Sequence, residues 1–170
     1  MELWDIYDAN GKNLNKKVRR GNFIPLGEYH LVVHIWLYNN KNEFLIQKRN
    51  KPLGNKPLDS YKNIWACTGG AVLAGETSLD AAIRETKEEM GINLNKNKLI
   101  KIDRTLCDSY IQDVWIGEWN GNSDNIKFDP VEVQEVSWVT EKKLNEMIRA
   151  GQFYNYSEKY FSNIIAHSFI

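Results

Sequence analysis

Alternating and helical hydrophobic periods divide the chain into a series of short elements. Residues 3–7 alternate and lead into Ala9-Asn10-Gly11. Asn-Gly after an alternating run is a hairpin signal, so residues 3–8 and about 14–20 are expected to pair. Residues 21–28, with Pro25 and Gly27, read as loop. Residues 30–38 are rich in β-branched and aromatic side chains and read as a buried strand. Residues 39–42 turn the chain, and 43–48 return as a partner strand. Residues 50–63 carry Pro52, Gly54 and Pro57 and read as a long surface loop, a kind that is often functional in compact domains. Residues 65–68 form a short strand ending at Gly69-Gly70. A helical period then runs over 77–90, and Gly91 suits a left-handed cap after it. Strands are expected at 98–106, 111–119 and 131–139, with a Gly/Asn turn at 120–125. Thr140 caps a helix over 140–150, and 157–167 read as a last helix. Strands interleaved with helices predict an α/β or α+β sandwich.

Composition narrows the function classes. A chain of 170 residues is long enough for one domain with a substantial core. Lys+Arg and Asp+Glu both number 22, so a general coat for nucleic acid polymers or a basic membrane-surface protein is not expected. The two cysteines, Cys67 and Cys107, are too few for a disulfide scaffold and fit no zinc spacing. The first residues show no basic region followed by an apolar run, so no signal peptide is expected. The longest apolar stretch, 31–38, is interrupted by His34 and too short to span a bilayer. A soluble cytoplasmic protein is the expectation.

Chemistry concentrates in residues 70–92. At 100° per residue, Glu85, Glu88 and Glu89 fall within an arc of roughly 100°, flanked by Arg84. Leu79, Ala82, Ile83, Thr86 and Met90 fall on the other side. Like charges at i, i+3 and i+4 destabilise a helix by tenths of a kcal/mol per pair, so the arrangement makes sense when a cation neutralises it. Hard divalent cations take oxygen ligands, and Mg²⁺ pairs one or two carboxylates with substrate phosphate. Gly69-Gly70 and Gly75 sit on the strand-to-helix connection, where bare backbone can approach a ligand. The helix N-terminus after them favours anions. Together these features predict a diphosphate site with a metal. The competing reading is a solvated acidic helix face. Seven fixed residue types at fixed spacing, however, recur by chance at roughly one in 10⁸ start positions at average residue usage.

The segment resembles the Nudix box, Gly-x5-Glu-x7-Arg-Glu-U-x-Glu-Glu-x-Gly-U, with U a bulky aliphatic residue. Gly70, Glu76, Arg84, Glu85, Glu88, Glu89 and Gly91 all match, and Ile92 fills the last U. Thr86 is the one departure, on the apolar face. The resemblance implies a Nudix fold, an α/β/α sandwich with a central mixed sheet and an N-terminal β-hairpin. It implies a single domain over 1–170, with hairpin and loop at 1–28 and core at 29–170. It implies metal-dependent hydrolysis of a nucleoside diphosphate linked to another moiety, with Mg²⁺ or Mn²⁺. Carried over by position, Glu88 and Glu89 are the main metal ligands. Glu85 is a further ligand or the base that activates water, and Arg84 orients it. Gly69 offers its carbonyl to the metal, and Glu76 and Gly70 support the substrate site. Members of this superfamily often use one more acid outside the box; Asp113 is the preferred candidate and Glu118 a weaker one. A homodimer is also implied.

Residues 30–39 are similar to the first core strand of isopentenyl-diphosphate isomerases, which share the fold and use a histidine at the position of His30 as a metal ligand. The rest of that metal site is missing here: Cys67-Thr68-Gly69-Gly70 replaces a cysteine followed by Gly-His-Pro. A Nudix fold used only for ligand binding is the third class, disfavoured by the intact box. His30 and His34 also read as ordinary strand histidines on one face, and Cys67 as a small buried hydrophobe. Lys48, Arg49 and Lys51 are candidate phosphate contacts. Tyr29, Tyr61, Tyr110 and Trp115 are candidates to stack on a base, while Trp36, Trp65 and Trp138 read as structural.

Overall fold

The computed structural model describes residues 2–50 and 63–169. Lys51 and Tyr61, and with them most of the expected 50–63 loop, lie outside the described residues.

The expected hairpin forms from β1 (Leu3–Tyr7) and β2 (Asn13–Arg19), paired antiparallel with Trp4 opposite Val18. Gly11 at its turn has φ +77°, a left-handed conformation that glycine adopts without steric cost. The hairpin docks on the body through main-chain bonds. Tyr7 and Tyr29 exchange two (2.8 and 2.9 Å), and Ala74 N–H donates to Leu3 O at 2.8 Å.

The main sheet is mixed and has seven strands. The 30–38 run forms β3 (His30–Tyr38), followed by β4 (Glu43–Arg49). Asn42, at φ +60°, closes the turn between them. Next come β5 (Trp65–Ala66) and β6 (Thr68–Ala71), then β7 (Leu99–Leu106), β8 (Tyr110–Glu118) and β9 (Val133–Thr140). β3 runs parallel to β8 from His30↔Tyr110 to Tyr38↔Glu118. Its other edge is divided. Val32 to Ile35 pair with β6, and Leu37 and Tyr38 pair with β4. The strand expected to stop at Gly69 thus resumes through both glycines, because β3 offers them backbone partners.

Helix α1 (Ser78–Met90) is capped by Thr77 at one end and by Gly91, φ +68°, at the other. It covers the face carrying Leu31, Val33, Ile35 and Leu37. Helices α2 (Glu141–Arg149) and α3 (Glu158–His167) close the opposite face over Trp36, Phe44, Ile46 and Val114. The alternation of β3 feeds both cores, as a two-sided buried strand requires. No helix among the described residues is long and apolar enough to cross a membrane.

Two aromatic expectations are corrected here. Trp115 lies in the middle of β8, packs against the α1-side core and donates its Nε1–H to Ser78 Oγ at 2.8 Å. Tyr29 is held by its bridge to Tyr7 and packs on the same core. Neither lines the ligand cleft described below. Trp36, Trp65 and Trp138 pack in the cores, as expected.

Thr86 is fully buried, and its Oγ1 donates back to Ala82 O at 2.8 Å. Such back-bonding adds little, because the carbonyl already belongs to the helix ladder, and it tends to bend helices. Thr86→Val is therefore expected to leave turnover unchanged. In thermal unfolding it should hold or raise Tm by up to about 3 °C, on the scale of roughly 2–4 °C per kcal/mol for this chain length. A fall of that size would show that the hydroxyl does more than satisfy itself.

Candidate active site

A large cleft of about 1850 Å³ runs past the second half of α1 and the glycines of β6. Its lining includes Glu85, Glu88 and Glu89 from the helix, Gly69 and Gly70 from β6, and Arg84 and Arg49. The helix spacing read from sequence thus brings the three carboxylates to one place.

Arg84 organises them. Its Nε and one terminal nitrogen grip Glu76 at 2.8 and 2.9 Å, and that same nitrogen also reaches Ala71 O at 3.0 Å. The other terminal nitrogen reaches Glu85 at 2.8 Å and Glu88 at 3.0 Å. All five N–H donors of the guanidinium are engaged. Its hydrogen bond to Glu76, above all, holds Arg84 protonated well beyond its ordinary range. Glu76 also accepts from Leu73 N–H at 3.0 Å and does not line the cleft. It positions Arg84; the expected substrate contact is corrected on this point.

The Glu85 carboxylate lies against Gly70, where any Cβ would collide with it. Burial pushes its pKa up, opposed by Arg84. Glu89 departs from the helical-wheel picture. It is only 3% exposed, and Gln47 Nε2 donates to its Oε2 at 2.7 Å. Burial, against the counteracting charge of Arg49, pushes its pKa up to about 8. Gln47 itself is fully buried, and its Oε1 has no partner among the described residues.

Three further expectations are placed differently. The N–H of Gly75 is taken by Asp5 of the hairpin at 2.7 Å, and the first turn of α1 lies outside the cleft. The anion site expected at the helix start is therefore not formed. Lys48 does not line the cleft whereas Arg49 does, because neighbours on a strand face opposite sides. Asp113 is fully buried opposite Val33, and Arg104 grips both of its oxygens at 2.6 and 2.7 Å. The β8 residue that reaches the cleft is its neighbour Gln112. Asp113 is not part of the acidic cluster. Glu118, the weaker candidate, is exposed, accepts from Asn120 at 2.6 Å and does not line the cleft. Tyr110 does line the cleft.

The acid outside the helix is Glu132. It lines the cleft, and its charge raises the pKa of both Glu85 and Glu89. Its segment is anchored by Asp129 N–H to Glu89 O (3.0 Å) and Asn50 N–H to Glu132 O (2.8 Å). No local pattern marks it. It approaches α1 only because β9 pairs with β4.

The donor set of the cluster is all oxygen, which suits a hard divalent cation. Glu85, Glu88 and Glu89 crowd three acidic side chains onto one helix face, and Glu89 is buried with a costly ionised form. The residues fit such an ion on these grounds. Among the described residues no three side chains form a preformed metal cage, since Arg84 and Gln47 hold the carboxylates apart.

A sequence family described as the NUDIX domain matches residues 28–159. A Nudix hydrolase of Listeria innocua is 32% identical over 157 residues, covering 92% of this chain and 90% of the relative. An RNA pyrophosphohydrolase of Pelagibacter ubique is 29% identical, over 68% of this chain and 84% of its own. Among solved structures, DR0079 from Deinococcus radiodurans superposes with TM-score 0.71 at 20% identity, covering 91% and 92% of the two chains. A C. elegans Ap4A hydrolase superposes with TM-score 0.54 at 24% identity, covering 79% and 98%.

The buried acid predicts a pH effect on the metal-free protein. Below pH 4.5, the ordinary value, both folded and unfolded Glu89 keep their protons, and at 4.5 the two states differ by only about half a proton. Toward pH 8 the unfolded chain ionises while the folded carboxyl stays protonated. The unfolded state then binds fewer protons, so stability falls over that window. In EDTA, Glu89→Gln should therefore melt several degrees above wild type at pH 8 and close to it at pH 4.5. Equal melting at both values would remove the buried-acid account.

Proposed function

The chain belongs to the Nudix domain family of pyrophosphohydrolases, and from that premise we propose that it hydrolyses a nucleoside diphosphate linked to a second group. The observation that carries the reading is that Glu85, Glu88, Glu89 and Glu132 line one cleft with the Gly69-Gly70 backbone, Glu85 lying directly against Gly70. Nudix hydrolases as a family use divalent metal ions. Glu88, Glu89 and Glu132, with the Gly69 carbonyl, would hold Mg²⁺ or Mn²⁺ here. Such an ion neutralises diphosphate charge and lowers the pKa of bound water.

The protein's own groups supply the rest. Glu85, held by Arg84 over Gly70, accepts the proton of the attacking water, and its raised pKa brings it closer to neutral, where a base works best. Arg49 faces the cleft as the cation for substrate phosphate. Tyr110, and the stacked pair of Trp4 and His30, whose ring centres lie 4.3 Å apart, offer aromatic wall to a base. The cleft exceeds the roughly 300–1,000 Å³ of ordinary small-molecule sites, which suits a diphosphate carrying a group at each end. The resemblance to proteins named RNA pyrophosphohydrolase and Ap4A hydrolase supports this reading.

A panel with Mg²⁺ and Mn²⁺ tests the reading: nucleoside triphosphates, nucleotide sugars, ADP-ribose, dinucleoside polyphosphates and isopentenyl diphosphate, with products identified by mass. Cleavage of a phosphoanhydride bond is expected. It should fall at least about 10²-fold in Glu88→Gln or Glu89→Gln, because each removes a carboxylate proposed to hold an ion whose charge stabilisation is worth several kcal/mol, with the fold intact. Unchanged turnover in those variants would sink the assignment, and isomerised isopentenyl diphosphate would replace it.

A further inference from the structure

Behind the glycines lies a buried polar relay that the hydrolytic cluster does not use. Trp36 Nε1–H donates to the Tyr160 hydroxyl at 2.8 Å, and that hydroxyl sits 3.0 Å from His34 Nδ1. Cys67 Sγ is 3.2 Å from the Tyr156 hydroxyl, and the Tyr156 and Tyr160 rings stack with centres 4.6 Å apart. His34 meets both tyrosine rings edge-on. The stronger acceptor sets the direction of the relay. Tyr160 oxygen accepts from Trp36, which has no other role open to its N–H. The single Tyr160 proton goes to the imidazole nitrogen, a far stronger acceptor than the Cys67 sulfur, which Tyr156 already meets. With Nδ1 accepting, the ring proton of His34 sits on Nε2.

His34 is also among the residues that line the cleft. His34 lies opposite Gly69 in the β3–β6 register, and a Cβ on Gly69 would stand 3.1 Å from His34 Cδ2, the carbon bonded to Nε2. Nε2 has no hydrogen-bond partner among the described residues. Successive residues of a strand point to opposite sides, so Gly70 leaves room for Glu85 and Gly69 leaves room for His34. The other edge of β6 pairs with no described strand. A group lying against that edge meets carboxylates on one side and the imidazole on the other.

We propose that His34 is a substrate-binding residue whose Nε2–H donates to a non-bridging oxygen of the diphosphate, oriented by the Trp36–Tyr160 relay. The inference rests on the diphosphate reading of the same cleft. An orienting chain of this kind fixes tautomer and ring angle, so the donor needs no reorganisation when the anion arrives.

The test uses imidodiphosphate, a non-hydrolysable diphosphate, with Mg²⁺, and measures its dissociation constant by calorimetry. Binding of Mn²⁺ alone is measured in parallel. His34→Leu and His34→Asn should each weaken imidodiphosphate binding about 10- to 100-fold, the scale of one hydrogen bond to a charged group. His34→Gln places an amide nitrogen near the Nε2 position and should stay within about threefold of wild type. Mn²⁺ affinity should be unchanged in all three. Nitrogen NMR of the wild type should show the proton of His34 on Nε2, with that resonance moving when imidodiphosphate binds. Equal binding by all variants would overturn the proposal. So would equal losses in Leu and Gln, loss of Mn²⁺ binding alongside, or a ring proton on Nδ1. Wild-type protein that binds Mn²⁺ but not imidodiphosphate would defeat the diphosphate reading itself, and this inference with it.

Discussion

The acidic site depends on a single guanidinium. Three carboxylates on two turns of one helix repel each other, and Glu85 is half-buried and Glu89 buried as well. Arg84 answers this from within the same helix by spending every donor it has, on Glu76, Glu85, Glu88 and the Ala71 carbonyl. Glu76 belongs to the loop before the helix and Ala71 to β6. The side chain that tethers the carboxylates therefore also ties strand, loop and helix into one body. A lysine has the charge but not the planar fork, and cannot satisfy these partners together.

The second constraint is the divided edge of β3. If β4 paired along all of β3, no gap would open at the site. Instead β6 takes the first half of the edge and β4 only the last two residues. Gln47 of β4 and Glu89 of α1 can then meet from opposite sides of the opening, at 2.7 Å. Burial there makes the ionised form of Glu89 costly, so the sheet topology and the charge state of the site are one fact seen at two scales.

Local chemistry was legible in the sequence, and long-range company was not. The box spacing, the Thr77 cap and the Gly91 stop placed α1 and its carboxylates, because helix geometry is fixed within a few residues. The strands and the hairpin followed from alternation. The box did not reveal that Glu89 is buried, since that depends on β4 lying across it. Asp113 looked available because alternation does not show a side chain's partner; the β7–β8 pairing set Arg104 beside it, and the guanidinium holds both carboxylate oxygens. Glu132, Tyr156 and Tyr160 carry no local signature. They reach the site only through the β4–β9 pairing and the packing of α3 under His34. Gly75 read as an open amide until the hairpin, far off in sequence, supplied Asp5.

The glycine pair of β6 has an evolutionary corollary. At most positions near a ligand, a mutation trades one contact for another, and selection can explore the results. At Gly69 and Gly70 the vacated volume already belongs to His34, the Val33 carbonyl and Glu85. Any side chain introduced there displaces neighbouring groups before it can touch a substrate. Divergence is therefore channelled to the walls, where Phe23 of the 21–28 loop and Tyr110 of β8 border the cleft on separate segments. Those segments can drift independently, and new specificities arise around a ledge that stays frozen.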